Sequence, residues 1–330
     1  MTETVLTVIL NYRTAEMTLR AAQAAFRAME GVAGAITIVD NDSQDGSFDW
    51  LCTQTADWPR VQVLQAGQNG GFGAGNNAGI RAGLPDGGRP DFIYLLNSDA
   101  FPDPDAIATL RDYLLAHRDC GFAGGHLRAE DGTDHVSVFR FPTIWSEFEG
   151  AAHTRFISRA LARYIVPQGV PTEITRIDWC AGASVMFPRR VLDEVGLFDE
   201  GFFLYFEETD LCLRIHQAGY HGVYLPHARA VHITAASTGV KGLARKPEYW
   251  FDSRALYFRK RGGQIHFWLA TLAHLTGGLI WELRRRVQRK DDRIAPYFLR
   301  DLLAHSLRNL RPENNRAQSM AKAQAAPDAR

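Results

Sequence analysis

The segment FIYLLNSDA, Phe92–Ala100, shows most clearly how this chain is built. Its first five residues are apolar without interruption, which predicts a short strand covered on both faces of a sheet. The run then ends abruptly in Asn97, Ser98 and Asp99. A strand that belongs in a core but ends on a carboxylate raises the question of what lies at its tip.

Three earlier runs have the same character. VLTVIL, AITIVD and VQVLQ each predict a strand, and helical periodicity fills most of the intervals between them. The clearest helix is TAEMTLRAAQAAFRAM, for which Thr14 is the predicted N-cap. This alternation predicts an α/β fold with a doubly wound, mostly parallel sheet. In such a sheet, ligands bind beyond the carboxyl ends of the strands.

Polar residues follow each of the four predicted strands at that edge. The first strand is followed by Asn11, Tyr12 and Arg13, and the second by DNDS, residues 40–43. QNGGFGAGNNAG, residues 68–79, follows the third strand, and NSDA follows the fourth. We therefore expect one ligand site where these strand ends meet.

Composition limits the classes of function. The 330 residues include 37 Lys and Arg and 37 Asp and Glu, so no overall field favours nucleic acid. The four cysteines lie far apart without a C-x-x-C pair, which suits a reducing cytosol and argues against a zinc ribbon. The N-terminus lacks the basic start and long apolar core of a signal peptide. We expect a cytoplasmic protein.

The glycine-rich segment has an alternative interpretation. Residues 73–78, GAGNNA, match the G-x-G-x-x-G/A pattern of dinucleotide-binding domains, so an NAD(P)-dependent dehydrogenase is a rival hypothesis. That pattern belongs after the first strand of its fold, whereas here it follows the third. A glycine-rich helix start is suited to phosphate in either case.

Acids and one histidine form a second set of candidates. Asp99 with His232 offers the oxygen and imidazole ligands of a divalent cation, although a capping aspartate and a surface histidine would look the same. Adjacent Glu207 and Glu208 diverge by about 100° on a helix. Nearby aromatic residues could raise a carboxylate's proton affinity and make it a general base. The alternative is a helix N-terminus whose acids complement its dipole.

Taken together, these motifs resemble family 2 glycosyltransferases, which are inverting, nucleotide-sugar-dependent enzymes with an A-type fold. Within the family, the chain is most similar to the rhamnosyltransferase-like branch. The resemblance covers roughly residues 5 to 240. It depends on motifs in order: VILNYR, IVDNDSQDGS, NGGFGAGNNAGI, YLLNSDA, DWCAGASVMFPRRVLDEVGLFDEGFFLYFEETDLCLR and VH.

The resemblance implies a role for each candidate residue. Glu208 is the implied general base, with Asp210 as the fallback, and Asp99 with His232 would hold Mg²⁺ or Mn²⁺ at the diphosphate. Acceptor sugar is implied at Trp179, Gly182 and Glu207. The implied nucleotide-binding residues are Asn11, Arg13, Asp40, Asn41, Asn69, Gly70, Gly73, Asn76, Asn77, Asn97 and Asp99. The metal and diphosphate at the strand tip would explain why the fourth strand ends on a carboxylate.

Two positions depart from the family pattern. Asn97 replaces the first acid of the D-x-D metal motif, which predicts weak metal affinity. Glu208 stands where the family normally has aspartate, so the base is one methylene longer but chemically competent. These departures keep open a third hypothesis, a non-catalytic module that binds nucleotide sugars.

The resemblance and the composition divide the chain. We expect a catalytic domain at 1–245, with a nucleotide-binding half at 1–100 and an acceptor half at 101–245. A helical region at 246–311 and a disordered tail at 312–330 follow. Within the helical region, IHFWLATLAHLTGGLIW and the arginines behind it suit a helix in a membrane interface, at 265–290. The alternative is packing on the catalytic domain or on a second subunit in a homodimer.

The leading hypothesis is therefore an inverting glycosyltransferase for cell-surface polysaccharide. It would move a sugar, for example rhamnose from dTDP-rhamnose, from a dTDP- or UDP-linked donor to a glycan or lipid-linked acceptor. We expect it in the cytoplasm, or peripherally on the inner face of the cell membrane.

Overall fold

The computed structural model describes residues 3–233, 245–289 and 295–309. These residues form two compact units. The first contains residues 3–139, 169–200 and 207–233, and the second contains 140–168, 201–206, 245–289 and 295–309. The predicted tail at 312–330 lies outside the described residues.

The elements follow in chain order. The strands are β1 Val5–Asn11, β2 Gly34–Asp40, β3 Val61–Gln65, β4 Phe92–Asn97, β5 Ala100–Pro102, β6 Cys120–Arg128, β7 Asp134–His135, β8 Val138–Phe139, β9 Thr175–Ile177, β10 Trp179–Cys180, β11 Ser184–Pro188 and β12 His221–His232. The helices are α1 Ala15–Ala28, α2 Ser47–Thr55, α3 Gly71–Ala82, α4 Ala106–Ala116, α5 Ile144–Ala152, α6 Arg155–Ala160, α7 Arg189–Val195, α8 Glu207–Gln217, α9 Glu248–Gln288 and α10 Phe298–Arg308. A short 3-10 helix, Ala162–Tyr164, follows α6.

The first unit is built on one large mixed sheet with the order β3-β2-β1-β4-β11-β6-β12-β5. The four strands predicted from apolar runs are confirmed, and β1 is parallel to both β2 and β4. Between β4 and β6 lies β11, which is antiparallel to both. The fold is thus the predicted mostly parallel α/β sheet, with the reversed strand β11 inserted at its centre and the short strands β5, β7 and β9 also antiparallel to their neighbours.

The core of the first unit lies between this sheet and its helices. Val5 and Ile9 are buried on one face of the sheet, and Leu6 and Val8 are buried on the other, as expected for strands that are apolar at nearly every position. α1 closes one face with a row of small residues that includes Ala21 and Ala25. Burial of this sheet leaves only its edges and strand ends available for chemistry.

Thr14 occupies the predicted N-cap position of α1, but its side chain does not cap the helix. Its hydroxyl instead lies within hydrogen-bond distance of Asn11 Oδ1 (3.4 Å) and Ser98 Oγ (3.2 Å). The prediction of the helix start is therefore correct, whereas the role of the hydroxyl is different. It connects the ends of β1 and β4.

The second unit is helical and contains α5, α6, α9 and α10. Its interior holds a buried ion pair, in which Arg254 of α9 donates to Glu147 Oε2 of α5 through Nε (3.0 Å) and Nη2 (2.6 Å). His274 Nδ1 lies 2.9 Å from the same oxygen, and Arg254 Nη1 donates to Thr271 Oγ1 at 3.2 Å. Both charged groups are thus satisfied inside the unit, which a buried pair requires.

The long helix α9 changes direction at Gly262 and Gly263. Gly263 has φ of 72°, a left-handed conformation that glycine adopts without steric cost. The part after this break, residues 264–288, contains most of the segment 265–290 predicted to contact a membrane, and residue 290 lies outside the described residues. In the part of the chain that the structure describes, no helix is both long and apolar enough to cross a bilayer.

Candidate active site

The ends of β1 and β2 are joined by a buried polar network. Asn11 and Asp40 are partners in the parallel register, and Asn11 Nδ2 donates to Asp40 Oδ1 at 2.6 Å. Ser43 donates to both carboxylate oxygens of Asp40, through its hydroxyl (2.5 Å) and its backbone N–H (3.1 Å). Asp40 is fully buried, so its carboxylate fixes the loop that follows β2. A rigid loop at this edge is what a nucleotide site needs.

Arg13 is held against the same loop. Its backbone N–H donates to Ser43 Oγ at 3.0 Å, and its Nε donates to the Ser43 carbonyl at 3.1 Å. The residue has φ of 55°, a left-handed conformation unusual for a side chain of this size. The structure thus holds a guanidinium at the strand-end edge, where the sequence predicts a nucleotide contact.

The glycine-rich segment forms the start of α3. Asn41 Nδ2 donates to Asn69 Oδ1 at 2.9 Å, and the Gly71 N–H donates to the same oxygen at 3.1 Å. These bonds connect the β2 loop to the helix start, and Gly70 occupies the N-cap position. Three predicted nucleotide-binding residues, Asn41, Asn69 and Gly70, are therefore brought together beside Asp40.

Asn76 and Asn77 lie farther along α3, and their amides are used within the protein. Asn76 donates to the carbonyl of Phe72, one turn back in the helix, at 2.9 Å. Asn77 is fully buried, donates to the carbonyl of Phe198 and accepts from its N–H. Asn77 thus attaches the segment ahead of α8 to α3. A nucleotide contact for either residue stays a prediction.

Asp99 lies in the two-residue turn between β4 and β5, directly beside the end of β12. Its carbonyl accepts from the N–H of Ile233 at 3.0 Å, and its Oδ1 lies 3.2 Å from His232 Nε2. Both side chains are largely buried. The structure therefore brings together the two residues proposed as metal ligands, from positions 133 residues apart in the sequence.

The donor set of this pair fits a hard divalent cation. Two ligands on adjacent vertices of an octahedron with bonds of about 2.1 Å lie about 3 Å apart, close to the observed separation. The same distance also suits a hydrogen bond between the two residues. Asp99 and His232 contribute one carboxylate and one imidazole. Strand β4 ends on Asn97, which supplies no second carboxylate.

One cluster of three candidate metal ligands occurs among the described residues, and it lies elsewhere. It consists of Asp119, Cys120 and His221, at the starts of β6 and β12 rather than at the end of β12. Burial, with the charge of Asp119, raises the pKa of the Cys120 thiol to about 11, and the cations of Arg176 and Arg190 lie nearby. The two nearby arginine cations would repel a metal ion, so we assign no metal to this cluster.

Glu207 and Glu208 begin α8 and are both withdrawn from solvent. Burial raises the pKa of Glu207 well above its ordinary value, and the neighbouring charge of Glu208 raises it further. Burial also raises the pKa of Glu208, whereas N–H groups of its own backbone and of Gly182 lower it. In the described part of the chain, neither Oε2 atom has a hydrogen-bond partner. Both carboxyls therefore hold protons more tightly than exposed glutamates.

Gly182 connects Glu208 to the end of β4. Its backbone N–H lowers the pKa of Glu208, and a Cβ at position 182 would lie 3.8 Å from Glu208 Oε1, so the two residues are neighbours. The next residue, Ala183, accepts a hydrogen bond from the Asn97 N–H at 3.1 Å. A Cβ at position 182 would lie only 3.0 Å from Cζ of Phe72, so this close approach favours glycine. Glu208 and Asn97 are therefore joined through two consecutive residues. Asp99 follows Asn97 by two residues in the sequence.

Asp210 and Trp179 both have partners within the protein. Asp210 Oδ2 accepts from Arg214 Nε at 2.9 Å, and Arg214 also donates to the carbonyls of Val195 and Leu197 at 2.7 Å. This pairing fixes the segment that follows α7, and a role of Asp210 as the fallback base stays a prediction. Trp179 stacks on Phe139, with ring centroids 4.4 Å apart.

Some side chains of the site were not singled out from the sequence. Ser43 bonds to Asn11, Asp40 and Arg13, and Phe72 packs where Gly182 leaves space. A serine three residues after an aspartate is a local turn signal that would have identified Ser43. The contact of Phe72 depends on two segments far apart in the sequence, and no local pattern reveals it.

A mostly parallel sheet with amides and acids gathered at its strand ends is the architecture of an α/β enzyme. Comparison with known proteins defines the kind of enzyme. Residues 5–263 match the family model described as Glycosyltransferase like family 2, so the chain belongs to this family and is a glycosyltransferase. This membership removes the dehydrogenase hypothesis.

Two curated relatives are rhamnosyltransferases. The N-acetylglucosaminyl-diphospho-decaprenol L-rhamnosyltransferase of Mycobacterium tuberculosis is 30% identical over 214 residues, covering 62% of this chain and 68% of that protein. The rhamnosyltransferase WbbL of Escherichia coli K12 is 32% identical over 168 residues, covering 49% of this chain and 60% of that protein. The predicted similarity to the rhamnosyltransferase-like branch is thereby confirmed.

Solved structures show the same fold at low identity. The mannosyltransferase PcManGT of Pyrobaculum calidifontis, solved with GDP-Man and Mn²⁺, superposes with a TM-score of 0.57 at 13% identity. The match covers 98% of this chain and 87% of that one. S. aureus TarS gives a TM-score of 0.52 at 11% identity, covering 98% of this chain and 49% of TarS. The A-type fold of the family is thus confirmed.

Proposed function

We propose that this glycosyltransferase moves a sugar from a nucleotide diphosphate donor to an acceptor hydroxyl with inversion, using Glu208 as the general base. The observation that carries the proposal is the environment of Glu208. Its Oε2 atom is withdrawn from solvent, burial raises its pKa, and its neighbour Gly182 precedes the residue that accepts a hydrogen bond from Asn97. A group of high proton affinity thus lies in the first unit, near the strand that leads to Asp99.

The proposed reaction is a single displacement at the anomeric carbon. The acceptor oxygen forms a bond to this carbon while the bond to the diphosphate oxygen breaks. Glu208 receives the proton of the attacking hydroxyl, and the nucleotide diphosphate leaves with the electron pair of the broken bond. One displacement from the opposite face inverts the configuration. General-base assistance of this kind typically contributes about 10²- to 10⁴-fold in rate.

The leaving group is the second requirement of the reaction. Asp99 and His232 would hold Mg²⁺ or Mn²⁺, which would supply positive charge to the departing diphosphate. The loops of Asp40, Arg13 and Asn69 would hold the nucleoside. Trp179, Gly182 and Glu207 would contact the acceptor.

We assign the donor and acceptor from the relatives. The names of both curated relatives specify rhamnosyl transfer, and the mycobacterial name specifies a diphospho-decaprenol acceptor. For this chain we propose a dTDP-linked donor such as dTDP-rhamnose, with a UDP-linked sugar as the alternative. The proposed acceptor is a lipid-linked glycan of cell-surface polysaccharide, met by the enzyme at the cytoplasmic face of the membrane.

A thermal-shift screen of nucleotide sugars, with and without Mn²⁺, tests donor and metal together. We expect dTDP-rhamnose to raise Tm most, and chelator to abolish the shift. An unchanged shift in chelator would remove the metal from the account. NAD serves as the control and should not stabilise the protein.

Turnover separates an enzyme from a non-catalytic nucleotide-sugar-binding module. Release of dTDP that depends on a lipid-linked acceptor is expected for the enzyme. A protein that binds the donor but releases no nucleotide with any lipid-linked acceptor would contradict the proposed function.

A further inference from the structure

The second part of α9 exposes an apolar face in a helix whose opposite face is buried. The exposed positions between residues 265 and 283 are Ile265, Leu269, Leu272, Thr276, Leu279 and Leu283. Their spacing of four and three residues places them in one row, which we call the apolar stripe. Its five aliphatic members are between 47% and 78% exposed. Solvent-exposed rows of this kind are unusual in monomers and indicate a contact surface.

Another helix, α6, adds one exposed apolar side chain near the end of the apolar stripe. Arg284 donates to the carbonyl of His153 at 3.1 Å and to Thr154 Oγ1 at 2.6 Å. These bonds hold the start of α6 beside α9, and Phe156, two residues after Thr154, is 82% exposed. The surface is therefore formed by two helices of the second unit.

Basic residues stand at both ends of the apolar stripe. Arg259, Lys260 and Arg261 precede it, and Arg284, Arg285, Arg286 and Arg289 follow it. The unit as a whole is strongly basic, because its described residues include 16 Lys and Arg but only 6 Asp and Glu. The described residues of the first unit include 14 Lys and Arg and 27 Asp and Glu. The neutral chain is thus divided into an acidic and a basic unit.

We propose that the apolar stripe and Phe156 bind the surface of an anionic lipid bilayer, with the flanking arginines at its headgroups. An amphipathic helix with leucines on one face and arginines beside them is suited to this interface. Each basic residue near an anionic surface contributes about 1 kcal/mol. The surface lies entirely in the second unit, so its binding to lipid does not depend on the proposed reaction.

The charge pattern favours lipid over a second copy of the chain. In a homodimer formed through the apolar stripe, parallel helices would bring the four following arginines together. Antiparallel helices would bring them against the basic residues 259–261. Glu282 pairs with Arg285 and Arg286, but an excess of positive charge remains at both ends, so either arrangement places like charges opposite each other, which is unfavourable. An anionic bilayer complements both ends of the row.

Vesicle co-sedimentation of the full chain, without substrates, tests the proposal. We expect binding to vesicles of phosphatidylcholine with phosphatidylglycerol, and weak binding to phosphatidylcholine alone. Raising NaCl from about 0.1 M to about 1 M shortens the Debye length from about 10 Å to about 3 Å and should release much of the protein. Absence of binding to the anionic vesicles would overturn the proposal.

Two pairs of variants separate apolar and electrostatic contributions. Leu279→Asp should weaken binding about tenfold or more, whereas the control Ile174→Asp, an exposed aliphatic residue of the first unit, should not. Arg286→Glu should weaken binding about fivefold or more. Its control is Arg89→Glu, since both arginines are exposed and paired with an acid. Circular dichroism verifies that each variant is folded.

The oligomeric state gives the competing result. Light scattering of the protein in buffer should show no change in mass for Leu279→Asp. If this variant converts a dimer into a monomer and leaves vesicle binding unaltered, the surface is an interface between two copies and the lipid proposal is wrong. Loss of catalysis with vesicle binding retained would count against the proposed reaction only.

Discussion

Buried glutamates occur in both units of this protein, and their surroundings are opposite. Burial alone would raise the pKa of Glu147, but the guanidinium of Arg254 and the ring of His274 bring it down to about 2. Glu207 is buried and Glu208 is partly buried, neither Oε2 atom has a hydrogen-bond partner among the described residues, and burial raises both pKa values. The first arrangement stabilises a charge, whereas the second retains affinity for a proton. A general base needs the second.

The largest effect is expected from removing the base. Glu208→Gln keeps the shape of the side chain but cannot accept a proton, so kcat should fall about 10²- to 10⁴-fold while the nucleotide sugar still binds. Steady-state release of the nucleotide measures the rate, and a thermal shift measures binding. Glu173→Gln, an exposed glutamate of the same unit, is the control and should leave both unchanged. Near-normal turnover of the Glu208 variant would reject the assignment.

The next effect concerns the paired glutamate. Glu147→Gln leaves Arg254, which is 1% exposed, without its counter-charge, and removing one partner of a buried pair costs about 3–5 kcal/mol. Chemical denaturation should show this loss. Glu149→Gln, on the same helix but bonded to the hydroxyl of Ser158, should cost no more than about 1.5 kcal/mol. Equal stability of the two variants would mean that the ion pair in the second unit is not structural.

The smallest effect should be a gain in protein stability rather than a loss. Because the folded pKa of Glu207 is raised, the folded state holds its proton more tightly than the unfolded state does. The charged form therefore destabilises the fold above the ordinary glutamate pKa, and this cost grows as pH rises to the raised value. Glu207→Gln removes the cost, so it should raise Tm at pH 8 and change it little at pH 4, as calorimetry can measure. A lower Tm at pH 8 would contradict the raised pKa.

The fold was largely predictable because its strands are buried on both faces. β1, β2, β3 and β4 stand out as short apolar runs, and their polar ends identify the edge where the site lies. The inserted β11 was not predictable in position. Its neighbours β4 and β6 are set by pairing between distant segments, which a local pattern does not encode. For the same reason, no local pattern indicates that residues 140–168 belong with the C-terminal helices.

Within the site, residue type was predictable but the use of each polar atom was not. Asn77 belongs to the glycine-rich segment that resembles a phosphate-binding motif. Its amide nevertheless donates to the carbonyl of Phe198 and to the carboxylate of Glu200. Glu207 and Glu208 are adjacent in the sequence, but the N–H of Gly182 lowers the pKa of Glu208 and is not among the groups that shift the pKa of Glu207. These differences arise from tertiary contacts. Asp99 and His232, predicted together as metal ligands, lie 3.2 Å apart because both are at strand ends of one sheet, and the metal itself stays a prediction.

The pH dependence of kcat/KM tests most directly whether Glu208, whose carboxylate has no arginine or histidine partner among the described residues comparable to those of Glu147, serves as the base. The rate should fall on the acidic side with a midpoint above the ordinary glutamate value, because Glu208 must be ionised to accept a proton. Glu147→Gln should leave this midpoint in place. An acidic limb at or below the ordinary value, or a rate independent of pH across that range, would contradict the account.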